Sequence, residues 1–380
     1  MKVELIGKHQ IIMSNPYSKH QYFGWPSAIR LQNGRIAVGA SGFRIGHIGP
    51  FGKAVVAYSE NEGETYTQPA VVIDTVLDDR DVGFCTFGES GLIVTSFNCT
   101  KKELREMPDG SYTEEENKYK LAYLDTLTEE EEARDLGGTF RISRDCGVTF
   151  GPIYKSPISS PHGPIELSDG SVLWVGETHA TYGISDKLRI EAHKINVDDG
   201  SMERIGIIDD IIVDGEVMPV YEPYACQLSD GRIICHIRVH SRKNPNGTSK
   251  GATIFQCESC DGGKTWTTPV EIIHDDEPDG ATSHIIEHSS GVLIAVYGHR
   301  AKANPPLGVR AMFSTDGGRS WDKHHVIYNN AYELEGPIVA DVGYPTTVEL
   351  SDGSLLTVFY GRVNQKSANI MQQKWRIVQD

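Results

Sequence analysis

The sequence has 380 residues, of which 39% are hydrophobic and 23% charged, a composition typical of a globular protein with a large core. Its formal net charge of −16 argues against nucleic acid or an anionic membrane surface as a partner, since both require an excess of Lys and Arg. The N-terminal region contains no apolar stretch long enough for a signal peptide or a membrane helix. Seven cysteines, an odd number scattered along the chain, suit free thiols in a reducing compartment, so we expect a cytoplasmic protein.

One pattern recurs along the chain: an apolar run, a polar residue followed by glycine or a short polar turn ending in glycine, and a second apolar run. Such turns predict β-hairpins because glycine adopts the positive φ that tight hairpin turns need. The turn glycines are Gly34, Gly91, Gly170, Gly231, Gly291 and Gly353. Six hairpins at a nearly regular spacing predict an all-β fold, a six-bladed β-propeller of four-stranded antiparallel blades formed by residues 1–380 as a single domain.

The interval between the second and third turns is longer than the others and contains an insertion. Residues 99 to about 135 depart from the hairpin pattern and are rich in Glu and Asp. A loop this long inside a compact domain is usually functional or disordered. We expect it to be either a lid beside a binding site or a solvated acidic excursion.

A second pattern, S-x-[DN]-x-G-x-[ST]-[WYF], occurs at residues 59–66, 143–150, 259–266 and 314–321. Its short polar side chains can bond the turn backbone, its glycine takes the open φ, and its aromatic residue can pack against a blade. Four copies in register with the hairpins resemble the Asp-box repeats, also called bacterial neuraminidase repeats, of the sialidase superfamily. The resemblance covers nearly the whole chain and implies a structural role for these turns.

The hairpins also predict where a site lies. The start of the first strand and the end of the second strand meet at the end opposite the turn, so residues about nine positions before and after each glycine should surround one mouth. Polar residues recurring there predict a binding site, although each one alone could serve a blade edge. The residues before the turns are Trp25, Asp81, His162, Glu222, His284 and Tyr344. Those after the turns are Arg44, Asn98, His179, Arg238, His240, His299, Arg300 and Arg362.

Some of these segments resemble segments of sialidases that carry site residues. Residues 343–361 resemble the segment of the last blade that holds a tyrosine nucleophile, which implies this role for Tyr344. Residues 221–238 resemble the fourth-blade segment, which implies that Glu222 is the base of the nucleophile and Arg238 a ligand of a substrate carboxylate. The resemblance further implies substrate-binding arginines, for which the candidates are Arg44 in the stretch ASGFR and either Arg300 or Arg310 before the last Asp-box.

Two departures from the sialidase pattern concern the mouth. Gly24 stands where the family has an arginine, and Gly361 replaces the glutamate that supports that arginine. A three-arginine carboxylate clamp is therefore in doubt unless Arg362 or Arg44 substitutes. The loop of residues 44–53, which should carry an aspartate acid/base, has no acid, and His47 is its best proton donor because an imidazole titrates near working pH.

Three functions fit these observations. The first is a sialidase-like exo-glycoside hydrolase that releases a terminal sugar, expected to be acidic, from a glycan. It would use Tyr344, Glu222 and His47 for catalysis. Its substrate-binding residues would be Trp25, Arg44, Asp81, His162, Arg238, Arg300, Arg310 and Arg362.

The second function is a propeller polysaccharide lyase, in which His47, His162, His179 and Tyr344 would move protons. The third is a non-catalytic glycan-binding propeller, in which Tyr344 and Glu222 would lie apart. No cofactor is implied, since no phosphate-binding glycine pattern leads from a strand into a helix. Cys257 and Cys260 form a lone CxxC, which favours ordinary packing over a zinc site.

Overall fold

The chain consists almost entirely of β-strands. The computed structural model describes residues 1–106, 112–179, 187–240, 252–273, 280–300, 306–330, 341–362 and 367–379. The strands up to residue 213 are β1 (Lys2–Met13), β2 (Tyr22–Arg30), β3 (Ile36–Arg44), β4 (Lys53–Ser59), β5 (Ala70–Ile73), β6 (Arg80–Phe87), β7 (Gly91–Phe97), β8 (Gly138–Ser143), β9 (Tyr154–Ser156), β10 (Ile158–Ser159), β11 (Ile165–Glu166), β12 (Val172–Thr178), β13 (Ile190–Ile195), β14 (Met202–Ile207) and β15 (Ile212–Val213). The later strands are β16 (Glu216–Val217), β17 (Val220–Gln227), β18 (Ile233–His240), β19 (Ala252–Ser259), β20 (Val270–Ile273), β21 (Gly280–Glu287), β22 (Leu293–His299), β23 (Gly308–Ser314), β24 (Asp322–Asn329), β25 (Val342–Glu349), β26 (Leu355–Arg362) and β27 (Ala368–Val378).

Antiparallel units of consecutive strands follow one another along the chain. The strands β6–β9, β17–β20 and β21–β24 form four-stranded sheets, and β10–β14 form a five-stranded sheet. Strands β15 and β16 form a small ribbon, and the remaining strands form one eight-stranded sheet in the order β25-β26-β27-β2-β3-β4-β5, with β1 on β27. The all-β, propeller-like arrangement agrees with the expectation from the sequence. Within the described ranges, however, the hydrogen bonding gives four separate blades and not six.

The eight-stranded sheet explains this difference. It joins the first and last strand groups of the chain through a parallel pairing of β2 with β27, where Tyr22 lies beside Ala368. The N-terminal strand β1 also runs antiparallel to β27. Two groups that the hairpin spacing predicted as separate blades are therefore continuous in hydrogen bonding.

The predicted hairpin turns lie where the glycines indicated, with one shift. Gly34, Gly170, Gly231, Gly291 and Gly353 have φ between 77° and 89°. Each donates its N–H to the carbonyl three residues earlier. In the second hairpin the positive φ belongs to Gly88, at 54°, and Gly91 begins strand β7 instead. This turn is as long as the others, but its glycine is the first of the three residues between the paired Phe87 and Gly91, whereas Gly34 is the third between Leu31 and Arg35.

Apolar cores fill the interfaces between neighbouring sheets. Val82 and Phe84 on β6 pack with Ala37 on β3 and Val56 on β4 in one buried cluster. The sheets approach closely there, because a Cβ atom on Gly39 would lie 2.4 Å from Cγ1 of Val82. This packing places β6, the first strand of its unit, against β3 and β4 of the preceding unit.

The insertion folds into three helices, α1 (Lys101–Glu106), α2 (Glu114–Thr126) and α3 (Glu129–Asp135). Its acidic residues partly serve as caps, since Thr113 with Glu116 and Thr128 with Glu131 form capping boxes. The apolar side chains of the helices join a buried cluster with Leu77. None of the described helices is long and apolar enough to cross a membrane.

The insertion also packs against the loop that carries His47. The ring of Phe51 stacks on Tyr119 of α2 with centroids 5.2 Å apart, and Ile48 joins the cluster beneath the helices. The Tyr123 hydroxyl donates to the carbonyl of Val76 at 2.9 Å. The helices therefore support the loop of residues 45–52 from one side.

The four S-x-[DN]-x-G turns share one hydrogen-bond pattern. In the turn of residues 259–266, Ser259 Oγ accepts from the N–H of Gly263 at 2.9 Å. The carboxylate of Asp261 accepts from the backbone N–H groups of Lys264 and Thr265 at 3.0 and 2.9 Å. These bonds are local, which explains why the pattern is readable in the sequence.

Asp261→Ala is expected to lower the free energy of unfolding by about 1–2 kcal/mol, because it leaves these backbone groups without their acceptor. Lys264→Ala in the same turn is the matched control and should change it by less than about 0.5 kcal/mol. Urea unfolding measures both variants. Equal effects of the two substitutions would contradict the role given to the carboxylate.

Candidate active site

Five strands break register at the same point before their hairpin turns. The breaks lie between Gly24 and Ser27, Arg80 and Gly83, Tyr221 and Tyr224, Gly280 and Ser283, and Gly343 and Thr346. Such β-bulges redirect a side chain away from the regular alternation of a strand. The side chains within the breaks include those of Trp25, Asp81, Glu222, Thr282 and Tyr344.

Four of these residues have an uncommon backbone conformation. Trp25, Asp81, Glu222 and Tyr344 have φ of 51°, 50°, 49° and 49°. A left-handed conformation costs a residue with a Cβ atom on the order of 1–3 kcal/mol and persists only where the surroundings impose it. The same strained position in four strands marks the end of the sheets at which a site is built.

Tyr344 and Glu222 are in hydrogen-bond contact, as the sequence suggested. The Tyr344 hydroxyl donates to Oε1 of Glu222, and the Thr282 hydroxyl donates to Oε2. Nη1 of Arg238 lies 2.9 and 2.7 Å from the two carboxylate oxygens. Thr282, which the sequence analysis missed in favour of His284, is therefore the mouth residue of β21.

The electrostatics of this pair are well defined. Burial alone would raise the pKa of Glu222, but the charge of Arg238 and the hydrogen bonds from Thr282 and Tyr344 lower it to about 2. Burial and the charges of Glu222 and Asp81 raise the pKa of Tyr344 well above its ordinary value. The pair is therefore a neutral phenol that donates to a carboxylate.

Two further carboxyl groups lie near Glu222. Oε2 of Glu177 accepts from the backbone N–H of Glu222 at 3.2 Å. Burial and the charge of Glu222 raise the pKa of Glu177 well above its ordinary value. Asp81 is 5% exposed, and its Oδ1 has no hydrogen-bond partner. Burial, opposed by Arg80 and reinforced by Glu222, raises the pKa of Asp81 to about 7.

Arg44 is committed to the protein itself. Its side chain is 1% exposed, it forms an ion pair with Asp78, and its Nη2 donates to the carbonyl of His47 at 2.8 Å. Its guanidinium also lies 4.7 Å from the ring centroid of Trp25. Arg44 therefore holds the His47 loop and Trp25 in place, and its role as a substrate-binding arginine stays a prediction.

His47 lies beside a second polar cluster, which the sequence analysis did not identify. Nδ1 of His47 is 2.7 Å from the Tyr22 hydroxyl and 3.3 Å from Asp341. Asp341 also accepts from the hydroxyls of Tyr22 and Tyr360 at 2.8 and 2.6 Å and from Nε of Arg362 at 2.6 Å. Asp341 is thus a hub that links His47 and Arg362.

Of the two remaining candidates for a substrate-binding arginine, Arg300 and Arg310, only one lies at the mouth. Arg300 donates to the Tyr360 hydroxyl at 2.9 Å, and its guanidinium lies 5.5 Å from the ring centroid of Tyr344. Arg310 instead donates to the carbonyls of Val309, Tyr328 and Pro306 between β23 and β24. Arg300 belongs to the mouth and Arg310 does not.

His162 lies deeper than expected. It is 3% exposed, and its Nδ1 is 3.1 Å from both the Ser27 and the Thr346 hydroxyls. It lines a cavity of about 360 Å³ with His284 and Tyr224. Burial lowers the pKa of His162 to about 3, so its imidazole is neutral. Its Nε2 has no hydrogen-bond partner among the described residues, so it is not hydrogen-bonded to the Tyr344 hydroxyl.

The bulges had a sequence signal that the hairpin spacing does not capture. Proline follows the bulged residue in three strands, as Pro26, Pro223 and Pro345, each eight residues before a turn glycine. Proline has no N–H to offer the ladder and is therefore found at bulges and strand edges.

Among the described residues, no group of three or more His, Cys, Asp and Glu side chains is arranged to hold a metal ion.

Arg44→Met is expected to lower the free energy of unfolding by about 3–5 kcal/mol, because it removes the main cationic partner of a buried carboxylate. Asp78→Asn added to this variant should recover part of the loss. Arg144→Met, which breaks the exposed pair with Asp198, is the control and should cost less than about 1 kcal/mol. Similar losses for Arg44→Met and Arg144→Met in urea unfolding would contradict this assignment.

Asp81→Asn is expected to stabilise the protein at high pH only. The pKa of Asp81 in the folded protein, about 7, lies above its value in the unfolded chain. The stability that the protonated carboxyl contributes is therefore fully present in acid and is lost as pH rises through 7. The stability of the variant relative to the unaltered chain should rise between about pH 4 and pH 8 by about 2–4 kcal/mol. Denaturant unfolding at these two pH values measures it, and a pH-independent difference would contradict it.

Comparisons with known proteins agree with this fold. The sequence profile of the BNR repeat-like domain matches residues 121–357. A search of functionally curated protein sequences found no match. A protein of unknown function from Dyadobacter fermentans is similar in structure, with a TM-score of 0.70, 18% identity and coverage of 99% of both chains.

Sialidases are also among the similar structures. The NanB sialidase of Streptococcus pneumoniae has a TM-score of 0.65 at 11% identity, covering 98% of this chain and 71% of that one. The intramolecular trans-sialidase of Ruminococcus gnavus has a TM-score of 0.61 at 14% identity, covering 98% and 99%. At such identities the likeness shows a shared fold. Because the family profile covers more than half of the chain, the protein belongs to the BNR repeat-like domain family, as a divergent member with the sialidase fold.

Proposed function

We propose that the protein is a sialidase-like exo-glycoside hydrolase that releases a terminal sugar from a glycan. The observation that carries this proposal is the hydrogen bond from the Tyr344 hydroxyl to the Glu222 carboxylate. Arg238 and Thr282 keep that carboxylate ionised at neutral pH, so it can accept the phenolic proton. A tyrosine nucleophile with a carboxylate base is an established variant of glycoside hydrolysis.

The proposed first step forms a covalent intermediate. The Tyr344 oxygen attacks the anomeric carbon as its proton passes to Glu222, and the bond from that carbon to the leaving oxygen breaks. His47 gives a proton to the leaving oxygen. In the second step His47 takes a proton from water, the resulting hydroxide displaces the tyrosine oxygen, and Glu222 returns the proton to Tyr344.

His47 is proposed for proton transfer because of its position. The loop that carries it is held by Arg44 from below and by the insertion helices from the side. Its ring lies 5.0 Å from that of Trp25, which itself lies 6.0 Å from Tyr360 at the mouth. A well-supported imidazole, connected to Tyr344 through the rings of Trp25 and Tyr360, fits an acid/base role.

We further propose that the eight-stranded sheet corresponds to two blades, which would give six in a single propeller over residues 1–380. Support comes from its composition, because β2–β5 repeat the antiparallel order of the separate four-stranded sheets. The strands β25–β27 with β1 make a second unit of four. One parallel residue pair, Tyr22 with Ala368, connects the two units.

The acidic sugar expected from the sequence depends on the arginines of the mouth. Arg238 is paired with Glu222, Arg44 with Asp78 and Arg362 with Asp341. Of the mouth arginines in the described ranges, Arg300 has no ion pair with a carboxylate. Arg300 is therefore the candidate ligand for an acid group on the sugar.

The geometry favours the hydrolase over the two alternatives. The lyase alternative requires histidines of this protein to move protons at the mouth. His162 is instead buried and hydrogen-bonded to Ser27 and Thr346. The non-catalytic alternative, a glycan-binding propeller, predicts that Tyr344 and Glu222 lie apart. Their side chains are in hydrogen-bond contact. Absorbance near 235 nm, where an unsaturated lyase product absorbs, would distinguish a lyase from a hydrolase during glycan turnover.

Tyr344→Phe is expected to reduce the rate of glycoside hydrolysis by about a thousandfold or more, because it removes the nucleophilic oxygen. Glu222→Gln should have an effect of the same order, since the phenol loses its base. Tyr66→Phe removes a comparable hydroxyl, bonded to Gln372 at 2.6 Å, and serves as the control with nearly unchanged rates. Release of 4-methylumbelliferone from a panel of glycosides measures all three. Full activity of Tyr344→Phe would disprove the proposed nucleophile.

A further inference from the structure

The side of the mouth formed by β25 and β26 already holds an anion. The Asp341 carboxylate accepts from Tyr22, Tyr360 and Arg362 at distances of 2.6 to 2.8 Å. The Tyr360 hydroxyl that donates to Asp341 accepts in turn from Arg300 at 2.9 Å. A cation and two hydroxyls are a set of donors that proteins use to bind a carboxylate ligand. Here they hold a carboxylate of the protein itself.

The two tyrosines of this cluster occupy the space beside Gly24. A Cβ atom on Gly24 would lie 3.1 Å from Cε1 of Tyr22 and 3.7 Å from Cδ2 of Tyr360. On Gly361 it would lie 2.7 Å from Cε of Met371. A larger side chain at Gly24 would therefore crowd the rings that hold Asp341, whereas one at Gly361 would meet Met371. The cluster therefore accounts for the small residue at Gly24.

Asp341 is charged at working pH. Burial opposes ionisation, but the hydrogen bond and charge of His47, followed by Arg362 and Tyr360, hold the pKa of Asp341 well below its usual range. Its side chain is 14% exposed, so solvent screens it only in part. A carboxylate on the carbon that Tyr344 attacks would lie close to this charge, because the Tyr344 ring lies 6.0 Å from that of Tyr360, which binds Asp341. Like charges brought together at a partly desolvated site cost several kcal/mol.

We propose that Asp341 is a built-in counter-anion of the mouth and that the terminal sugar carries no carboxylate on its anomeric carbon. The substrate class is then an aldoside, whose anomeric carbon bears hydrogen, and not the ketoside of a 2-keto sugar acid. An acid group elsewhere on the ring remains compatible with Arg300. The identity of the attacked carbon rests on the proposed hydrolase function, whereas the exclusion of a carboxylate rests on Asp341 and its partners.

The binding test needs no turnover. Sodium N-acetylneuraminate, a 2-keto sugar acid, is titrated by calorimetry into the unaltered chain, Asp341→Asn and Asp198→Asn. The last variant is the control, because Asp198 also pairs with an arginine but lies on the exposed surface. Asp341→Asn keeps the shape of the side chain and removes the charge. It should bind the sugar acid at least about tenfold more tightly than the other two.

Two outcomes of this titration overturn the inference. One is binding by Asp341→Asn that is no tighter than binding by the unaltered chain. The other is a Kd below about 1 mM for the unaltered chain, which decides the question even where the variant does not fold. A Kd above that limit for the unaltered chain supports the inference.

A second measurement separates this inference from the proposed function. The unaltered chain is assayed on the 4-methylumbelliferyl ketoside of N-acetylneuraminate and on a panel of 4-methylumbelliferyl aldosides. We expect an aldoside to be hydrolysed at least about a hundredfold faster, and a faster ketoside overturns the inference. If no glycoside is hydrolysed, the hydrolase proposal fails, while the calorimetric titration still decides the role of Asp341.

Discussion

The largely buried carboxylate of Glu222, whose side chain is 14% exposed, is the constraint on which the mouth depends. Its partners come from three sheets: Arg238 from the sheet of Glu222 itself, Thr282 from the next sheet and Tyr344 from the eight-stranded sheet. A buried charge that loses its partners costs several kcal/mol, so these sheets must meet in one relative position. The bulges at Glu222 and Tyr344 make the contact possible by turning both side chains out of the regular strand alternation. The feature proposed for catalysis is therefore also one that fixes the arrangement of the sheets.

Local features of the fold were predictable from the sequence, and the connection between distant strands was not. The turns at Gly34 and Gly353 and the Asp-box at residues 259–266 depend on residues a few positions apart, so the spacing of the glycines and polar side chains indicates them. The fusion of two strand groups depends on Tyr22 meeting Ala368, which no short pattern encodes. The second hairpin shows a smaller limit of prediction from the sequence. Two glycines, Gly88 and Gly91, could take the positive φ of the turn, and Gly88 takes it.

The candidate site divides in the same way. The hairpin spacing placed Glu222 and Tyr344 at one end of their strands, and the resemblance to sialidases suggested their pairing. It did not indicate Asp341, because this residue matters through Tyr22 and Tyr360, which are distant in sequence. Arg44 was assigned to the substrate because a pattern shows an arginine but not its ion pair with Asp78. Buried ion pairs therefore decide which arginines of the mouth remain for a ligand.

The pairing of the N-terminal strands β1 and β2 with the C-terminal strand β27 has a consequence for protein synthesis. The strand β2 emerges from the ribosome early, whereas its neighbour β27 is made from residues 368–378. Until then the edge of β2 and the whole of β1 present unpaired backbone groups, and such edges invite pairing with other chains. Contacts of such high sequence separation also form slowly once the chain is complete. We expect nascent chains to need protection from aggregation, for instance by chaperones, until the last strand joins the first.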